Sequence, residues 1–479
     1  ATTGILSSVA KGVSRIDQCV ITVSPIDGAA DYQSINEAIS HAIGTPEGNY
    51  IDGCITSNIG GTGIVSPPSP TYPFIILLSP GQYSETTNKI TLPDYVSLRG
   101  ENNYNSVITQ NSGDNLIEDS SMIIVGENCE IKNLVINLND SSESYISNAI
   151  YAFNKSNVVI DNCIITCSNT INTILDISGI YIDSGYNNSI TNTKFIFSSN
   201  NLFNTVICIY IQNTTPKLIN NNINMLTPNT ILTCGINIIM GIGSESISDK
   251  VYIENLVLSN NYNTINNGDN IGIYIIDSSI IIKNSDIEVT NNNNNNYNCS
   301  GISIVSAMPF DVPPYTGVAS NVLIFTNFHT NPLQNTINSS NISVINFLTQ
   351  NYEKGQYISV SGSSFNDGVY KISSVPTSNI MILENGYNLV NEDTTLDTTN
   401  ITLRGLYDIN IYNTHINASG NTINNINGAN NYILNLNNVV SEGGPYNISP
   451  SYVVYKNYKT ITVGQINCDY NSLYNAMNS

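Results

Sequence analysis

Apolar and polar positions alternate along much of this chain, in a phrase that keeps returning. A small residue is followed by Ile, then usually Tyr, then another apolar residue. It reads AIYAF at Ala149, GIYID at Gly179, CIYIQ at Cys208, GINII at Gly235, GIYII at Gly272 and GISIV at Gly301. Subtracting residue numbers gives steps of 30, 29, 27, 37 and 29 residues. A second phrase, Ile-x-Asn, runs in step with it and ends at Asn133, Asn162, Asn192, Asn221, Asn255 and Asn284. A fixed period between about 20 and 50 residues marks a solenoid, propeller or array. Within the phrase the apolar residues fall two apart, as at Ile180 and Ile182 or Ile273 and Ile275, which is the period of a strand. Ile and Val set among Asn, Ser, Thr and Gly suit strands and turns. A repeat of this length is short of the roughly 40–45 residues of a four-stranded propeller blade. The pattern therefore predicts a right-handed parallel β-helix, one coil per repeat, with coils stacked at about 4.8 Å and stability built along one dimension.

The flanks read differently. Residues 1–20 are polar and unpatterned, a tail or linker. Ile21-Thr22-Val23 reads as a strand, and a helix is expected near 33–42. Ser34 stands three residues before Glu37, the spacing of a capping box. Ile35, Ile39 and Ala42 then share one face, which would plug an open end of the solenoid. Residues 44–73 are rich in Gly, Pro and Ser, as a long surface loop is. The solenoid is expected to run over 21–342, with one more coil at Asn321–Ile324 after the Pro-rich break at 309–315. The texture then changes. Tyr357–Gly362, Asn366–Ile372 and Ile380–Glu384 read as a meander turning at Asn-Asp-Gly, so a small β-barrel-like insert is placed over 343–400. This stretch resembles modules of phage and virus particle proteins. Ile409, Ile411 and Asn413 restore the second phrase, so the solenoid resumes over 401–460. Residues 461–479 repeat the opening strand and helix pattern, the start of a second capping unit. That unit either closes the far end or begins another module of a tandem array, and the second alternative is favoured.

The stretches DYQSINEAI, FIILLSPGQYSE and ITLPDYVSLRGEN, in that order within residues 21–110, resemble the opening coils of pectinesterase-like proteins of the pectin-lyase-like superfamily. The resemblance implies a right-handed β-helix with an N-terminal capping helix, and ester hydrolysis on a pectic substrate. The family's catalytic motifs are missing. No DFIFG-like or QDTL-like stretch occurs, there is no Trp, and Arg15, Arg99 and Arg404 are the only arginines. No catalytic residue carries over, and the expectation is a protein that is not an enzyme.

Composition narrows the partners. The net charge of −21, with charged residues at only 11%, argues against nucleic acid and anionic membranes, which need basic patches. No apolar run is long enough for membrane insertion. Asn makes up about one residue in six. It tolerates left-handed backbone, so an Asn-rich solenoid turns corners at low cost; codon bias is the plain alternative. The run Asn291–Asn296 reads as a loop tip. The nine cysteines are scattered without CxxC spacing, and Cys163 and Cys167 fall on one side of one strand. Buried free thiols and assembly in a reducing compartment are expected. Neither a metal nor a cofactor is implied.

Three sets of residues remain as candidates. Tyr151, Tyr181, Tyr210 and Tyr274 should point outward if the flanking Ile residues point in, forming a stripe broken at Asn237. Such a stripe is either a platform for a glycan or partner or a stacking ladder. Among the acids, Asp176, Asp183, Asp277, Glu254 and Asp286 stand out, since paired carboxylates cleave glycosides; Asp183 joins the Tyr residues as a binding candidate. The histidines, His41, His329 and His415, lie far apart. The column Asn133, Asn162, Asn192, Asn221, Asn255 and Asn284 reads as structure, amides bonding from coil to coil. The functional expectation is a structural or surface-fibre component of a virus particle, at a virion surface or outside a cell. Its partners would be other copies of itself, other particle proteins or glycans. The alternative is a carbohydrate-active enzyme or glycan-binding adhesin.

Overall fold

The computed structural model describes residues 19–43, 68–70, 73–84, 89–109, 120–138, 147–167, 176–198, 203–226, 230–239, 250–262, 268–291, 298–305, 318–328, 334–396, 401–419, 422–428, 432–442, 446–448 and 454–456. The chain forms a right-handed parallel β-helix with three walls. One coil shows the order: Val159–Asp161 lies in wall one, Ile164–Cys167 in wall two and Asp176–Asp183 in wall three. Among the described residues, walls two and three each hold ten parallel strands.

Like residues stack on like. Ile150, Ile180, Ile209, Ile236, Ile273 and Ile302 are register partners down wall three. Ile131, Ile160, Ile190, Leu218, Ile253 and Ile282 do the same in wall one. All belong to one continuous buried core, each side chain contributing about 1.5–3 kcal/mol by its removal from water.

The corner between walls one and two explains the second phrase. After the wall-one strands from Glu130–Lys132 to Tyr432–Asn437 the chain turns sharply through one residue with φ between 47° and 60°: Asn133, Asn162, Asn192, Asn220, Asn255, Asn284, Asn413 and Asn438. Asn is the non-glycine residue that accepts this region most readily. In one coil the corner is Asn220, not Asn221. There the inward wall-one residue is Leu218, paired with Ile190, while Ile219 points out. Counting on Ile rather than on the inward position shifts the column by one residue.

The cap is a helix over Ile35–Ile43. The Glu37 N–H donates to Ser34 Oγ at 3.4 Å, and Ile35, Ala38, Ile39 and Ala42 enter the solenoid core. The first strand, Cys19–Val23, pairs in parallel with Phe74–Leu78, so cap and coils form one body. The 44–73 loop (but for 68–70 and 73), residues 1–18, the 309–315 break, most of the Asn291–Asn296 run and the 461–479 unit lie outside the described residues.

The insert is larger than its texture suggests. Leu323–Phe328 is no coil; it pairs antiparallel with Gln334–Ser339 and with Glu392–Asp393. Gln334–Ser339 continues antiparallel to Ile380–Leu383, and Tyr357–Ser361 to Gly368–Thr377. These strands enclose their own core, including Phe325, Ile337, Phe347, Tyr352, Ile358 and Met381. The meander turns through the longer stretch 362–367, where Asp367 Oδ1 accepts from the Ser363 N–H at 2.7 Å. The boundary is a single strand, Ile401–Tyr412. Its first half pairs antiparallel with Val318–Ser320 and Tyr357–Ser361. Its second half pairs in parallel with Ile280–Lys283 and Tyr432–Asn437 in wall one.

Candidate functional site

The small residue of the first phrase sits within the strand and not at a turn into it. In wall three two consecutive positions face inward, such as Gly179 and Ile180, and the strand pairing skips the first of them. The strand bends here, and the bend recurs coil after coil, so stacking survives it. At Gly179 an added Cβ would come within 2.5 Å of the Cys208 carbonyl oxygen and 3.1 Å of the Phe195 ring. At Gly272 it would meet the Gly301 carbonyl oxygen at 2.5 Å. Close approach of coils, not backbone φ, restricts these positions.

After the bend the next residue points out, which places the tyrosines. Tyr151, Tyr181 and Tyr210 stack in register, followed by Asn237 and Tyr274. Ring centroids are 5.2 Å apart for Tyr151 and Tyr181, and 4.5 Å for Tyr181 and Tyr210, edge to face. The rings are half-buried. Tyr210 and Tyr274 pack over Ile207, Cys234 and Ile271, an apolar patch on the outer side of wall three. Tyr181 Oη donates to Gln212 Oε1 at 2.8 Å. Burial pushes the hydroxyls of Tyr181, Tyr210 and Tyr274 up from their ordinary value. Half of each ring is thus committed to the wall itself.

Asp176, Asp183 and Asp277 do not converge. Asp176 and Asp183 end the same eight-residue strand, so they stand about 23 Å apart at the usual rise, far beyond the roughly 5–9.5 Å of glycosidase pairs. Asp183 is buried and accepts from Ser184 Oγ at 2.9 Å and Asn213 Nδ2 at 3.2 Å. Asp277 is a corner residue with φ 47°, next to Ile276, three coils from Asp183 by register. Glu254 accepts from Tyr252 Oη at 2.8 Å. Asp286 meets His415 Nδ1 at 2.7 Å. The His41 side chain and His329 lie outside the described residues. No group of three His, Cys, Asp or Glu among the described residues could hold a metal ion, and no described helix is long and apolar enough to cross a membrane.

One concave site was invisible in the linear pattern. A cleft of about 540 Å³ opens between wall one and the insert. Wall one contributes Ser279, Ile281, Asp408, Asn410, Tyr412 and Asn435; the insert contributes Lys354, Gln356, Tyr357 and Lys371; Lys250 lies at its edge. Lys371 Nζ sits 5.6 Å from the Tyr357 ring centroid, and Lys283 Nζ 5.9 Å from that of Tyr412. The scarcity of cations was the one available signal, and it says nothing about which of them meet.

No family model matches this chain, and no curated protein matches it. Solved structures do. A pectin methylesterase from Aspergillus niger is 14% identical, covering 60% of this chain and 80% of its own, with a TM-score of 0.35. The A-module of the mannuronan C-5 epimerase AlgE6 from Azotobacter vinelandii is 11% identical, covering 81% and 91%, with a TM-score of 0.28. The pectin methylesterase PemA from Erwinia chrysanthemi is 15% identical, covering 56% and 78%, with a TM-score of 0.23. These neighbours are right-handed β-helix proteins. The fold of this chain rests on the strand register described above.

The Asn corner forms a ladder in segments. Asn162 Nδ2 donates to Asn133 Oδ1 at 2.7 Å, Asn220 Nδ2 to Asn192 Oδ1 at 3.1 Å, and Asn255 Nδ2 to Asn220 Oδ1 at 2.8 Å. Two rungs turn aside to carboxylates: Asn192 donates to Asp161 at 2.8 Å and Asn284 to Glu254 at 3.4 Å. Asp161 also meets Lys132 at 2.6 Å. Burial pulls its carboxyl up, but the bonds from Lys132, Asn192 and Thr191 outweigh that and hold it below the usual value. Asn221 is buried instead. It accepts the Thr193 N–H at 3.0 Å and donates to the Ile190 carbonyl at 2.8 Å. A second ladder joins Asn128, Asn157 and Asn187 at the corner before wall one. Cys129, Cys163, Cys208 and Cys234 are buried free thiols, and Cys167 and Cys299 are buried as well.

Proposed function

We propose that this protein is a non-enzymatic structural rod, a surface-fibre component of a virus particle. The observation that carries the reading is the separation of its carboxylates. Asp176 and Asp183 stand at opposite ends of one strand and Asp277 lies three coils from Asp183, with Asp183 bonded to Ser184 and Asn213, and Glu254 to Tyr252. An acid pair that protonates a leaving group and activates water needs both groups about one bond. A stacked core and an Asn corner that recurs down the rod are what a stiff, repetitive part requires. Two measurements test this. Electron micrographs of native material should show copies of the protein packed into a filament or shell. A reducing-sugar assay over a panel of polysaccharides should show no release; cleavage lost on Asp176→Asn or Asp183→Asn would sink the reading.

A further inference from the structure

The cleft between wall one and the insert gathers cations. The chain has 15 Lys and Arg against 36 Asp and Glu, yet Lys250, Lys354 and Lys371 line this one concavity. Lys250 is paired with Asp408, and Lys371 lies 3.0 Å from Glu384. Lys354 has no ion-pair partner among the described residues, so the cleft keeps positive charge inside an acidic protein. The second observation is Gln356, which is 6% exposed. Its Oε1 accepts the Glu353 N–H at 3.3 Å, while its Nε2 has no hydrogen-bond partner. A buried donor left in this state is destabilising; Gln356 lines the cleft, so a turn of its side chain would bring that donor to an acceptor oxygen there.

The lining also bounds the ligand. Asn410, Asn435 and Asn437 present amides, which can both donate to and accept from hydroxyls. Ile281 and Leu406 supply apolar floor of the kind a sugar's C–H face covers. The volume falls in the roughly 300–1,000 Å³ range of small-molecule sites and far exceeds what a bare oxyanion fills. The lining cations are all lysines. A planar carboxylate is best matched by the fork of an arginine, whereas lysine acts as a point charge on phosphate-like groups. We propose that this cleft binds a sugar carrying a tetrahedral oxyanion ester, phosphate or sulfate. The ester lies between Lys354 and Lys371, and the Gln356 side chain turns to donate from Nε2 to a ring hydroxyl or ester oxygen. The proposal stands apart from the rod reading, since a rod with or without catalysis could hold such a sugar.

Isothermal titration calorimetry on the full chain at low ionic strength tests it, with a hexose phosphate, a hexose sulfate, a hexuronate, the parent hexose and inorganic phosphate as probes. One or both esters should bind, and the two arms tell phosphate from sulfate. Lys354→Ala combined with Lys371→Ala should weaken that binding by roughly tenfold to a hundredfold, the loss of charged hydrogen bonds, with the melting temperature unchanged. Hexose or hexuronate binding as tightly as the esters would overturn the proposal. So would an unchanged affinity in the double variant, or inorganic phosphate binding equally well, the mark of an adventitious ion only.

Discussion

Asn220 and Asn221 are neighbours in the chain with opposite surroundings. Asn220 is exposed at the corner and trades amide bonds with Asn192 and Asn255. Asn221 is 2% exposed and satisfies two backbone groups of the preceding coil. Removing a buried partner strands a donor and an acceptor at about 1–3 kcal/mol each. Asn221→Ala should therefore lower unfolding free energy by about 2–4 kcal/mol, and Asn220→Ala by about 1–2, chiefly from left-handed strain. Urea titrations of both variants check this, and equal midpoints would refute it. The thiols give a pH dependence. Burial raises Cys129 to about 11 and Cys163 and Cys234 to about 12, above the ordinary thiol value of 9.0. Below pH 9 both folded and unfolded thiols are protonated and their contribution is whole. Above it only the unfolded chain loses protons, so stability falls as pH rises toward the folded values. The slope should approach about 4 kcal/mol per pH unit for these three together. Urea midpoints measured between pH 8 and 11 would show it, and a flat profile would count against such deep burial.

At the scale of elements, the strand Ile401–Tyr412 binds two pairing systems. Strand side chains alternate with period two, so one extra residue reverses every position beyond it. A glycine inserted after Leu406 should turn Ile409 and Ile411 out of the core while leaving the insert's own pairing intact. Calorimetry should then show a second, earlier transition, and an unchanged single transition would mean that the halves are not coupled through this strand. The same strand shows why the insert's edges were hard to read. Leu323–Phe328 has the alternation of a coil strand, and alternation alone does not distinguish parallel from antiparallel pairing. The cap was legible because its signals are local: Ser34, Glu37 and a helical apolar spacing. The ladder slipped at one coil because Leu218 fills a place that Ile holds elsewhere. The cleft was not legible at all, since Lys250, Lys354 and Lys371 meet only after the insert docks on wall one.

Across the whole molecule, each coil touches mainly its two neighbours, so a local wound should fade with distance. Ile35 is wholly buried beneath the first coils. Ile35→Asp should loosen the cap by about 3–5 kcal/mol, the cost of a buried unpaired charge. Hydrogen exchange should speed in Phe74–Leu78 and Val96–Gly100 and be unchanged by Asp269–Ile276. Faster exchange along the full length would mean a globally cooperative rod. The period that made the coils legible in the sequence has the same origin as this behaviour, for each repeat solves its packing against a copy of itself.

The strand that passes from the insert into wall one also sets how the molecule would carry a load. Strands run across the rod, while the hydrogen bonds between coils run along it. A tug on the insert directed along Ile401–Tyr412 would enter the coil parallel to that strand. It would strain the bonds to Ile280–Lys283 and Tyr432–Asn437 sideways and together, as in a lap joint, instead of opening them one after another as in a peeled tape. An anchor placed there would resist being pulled off far better than one tied on by a loop.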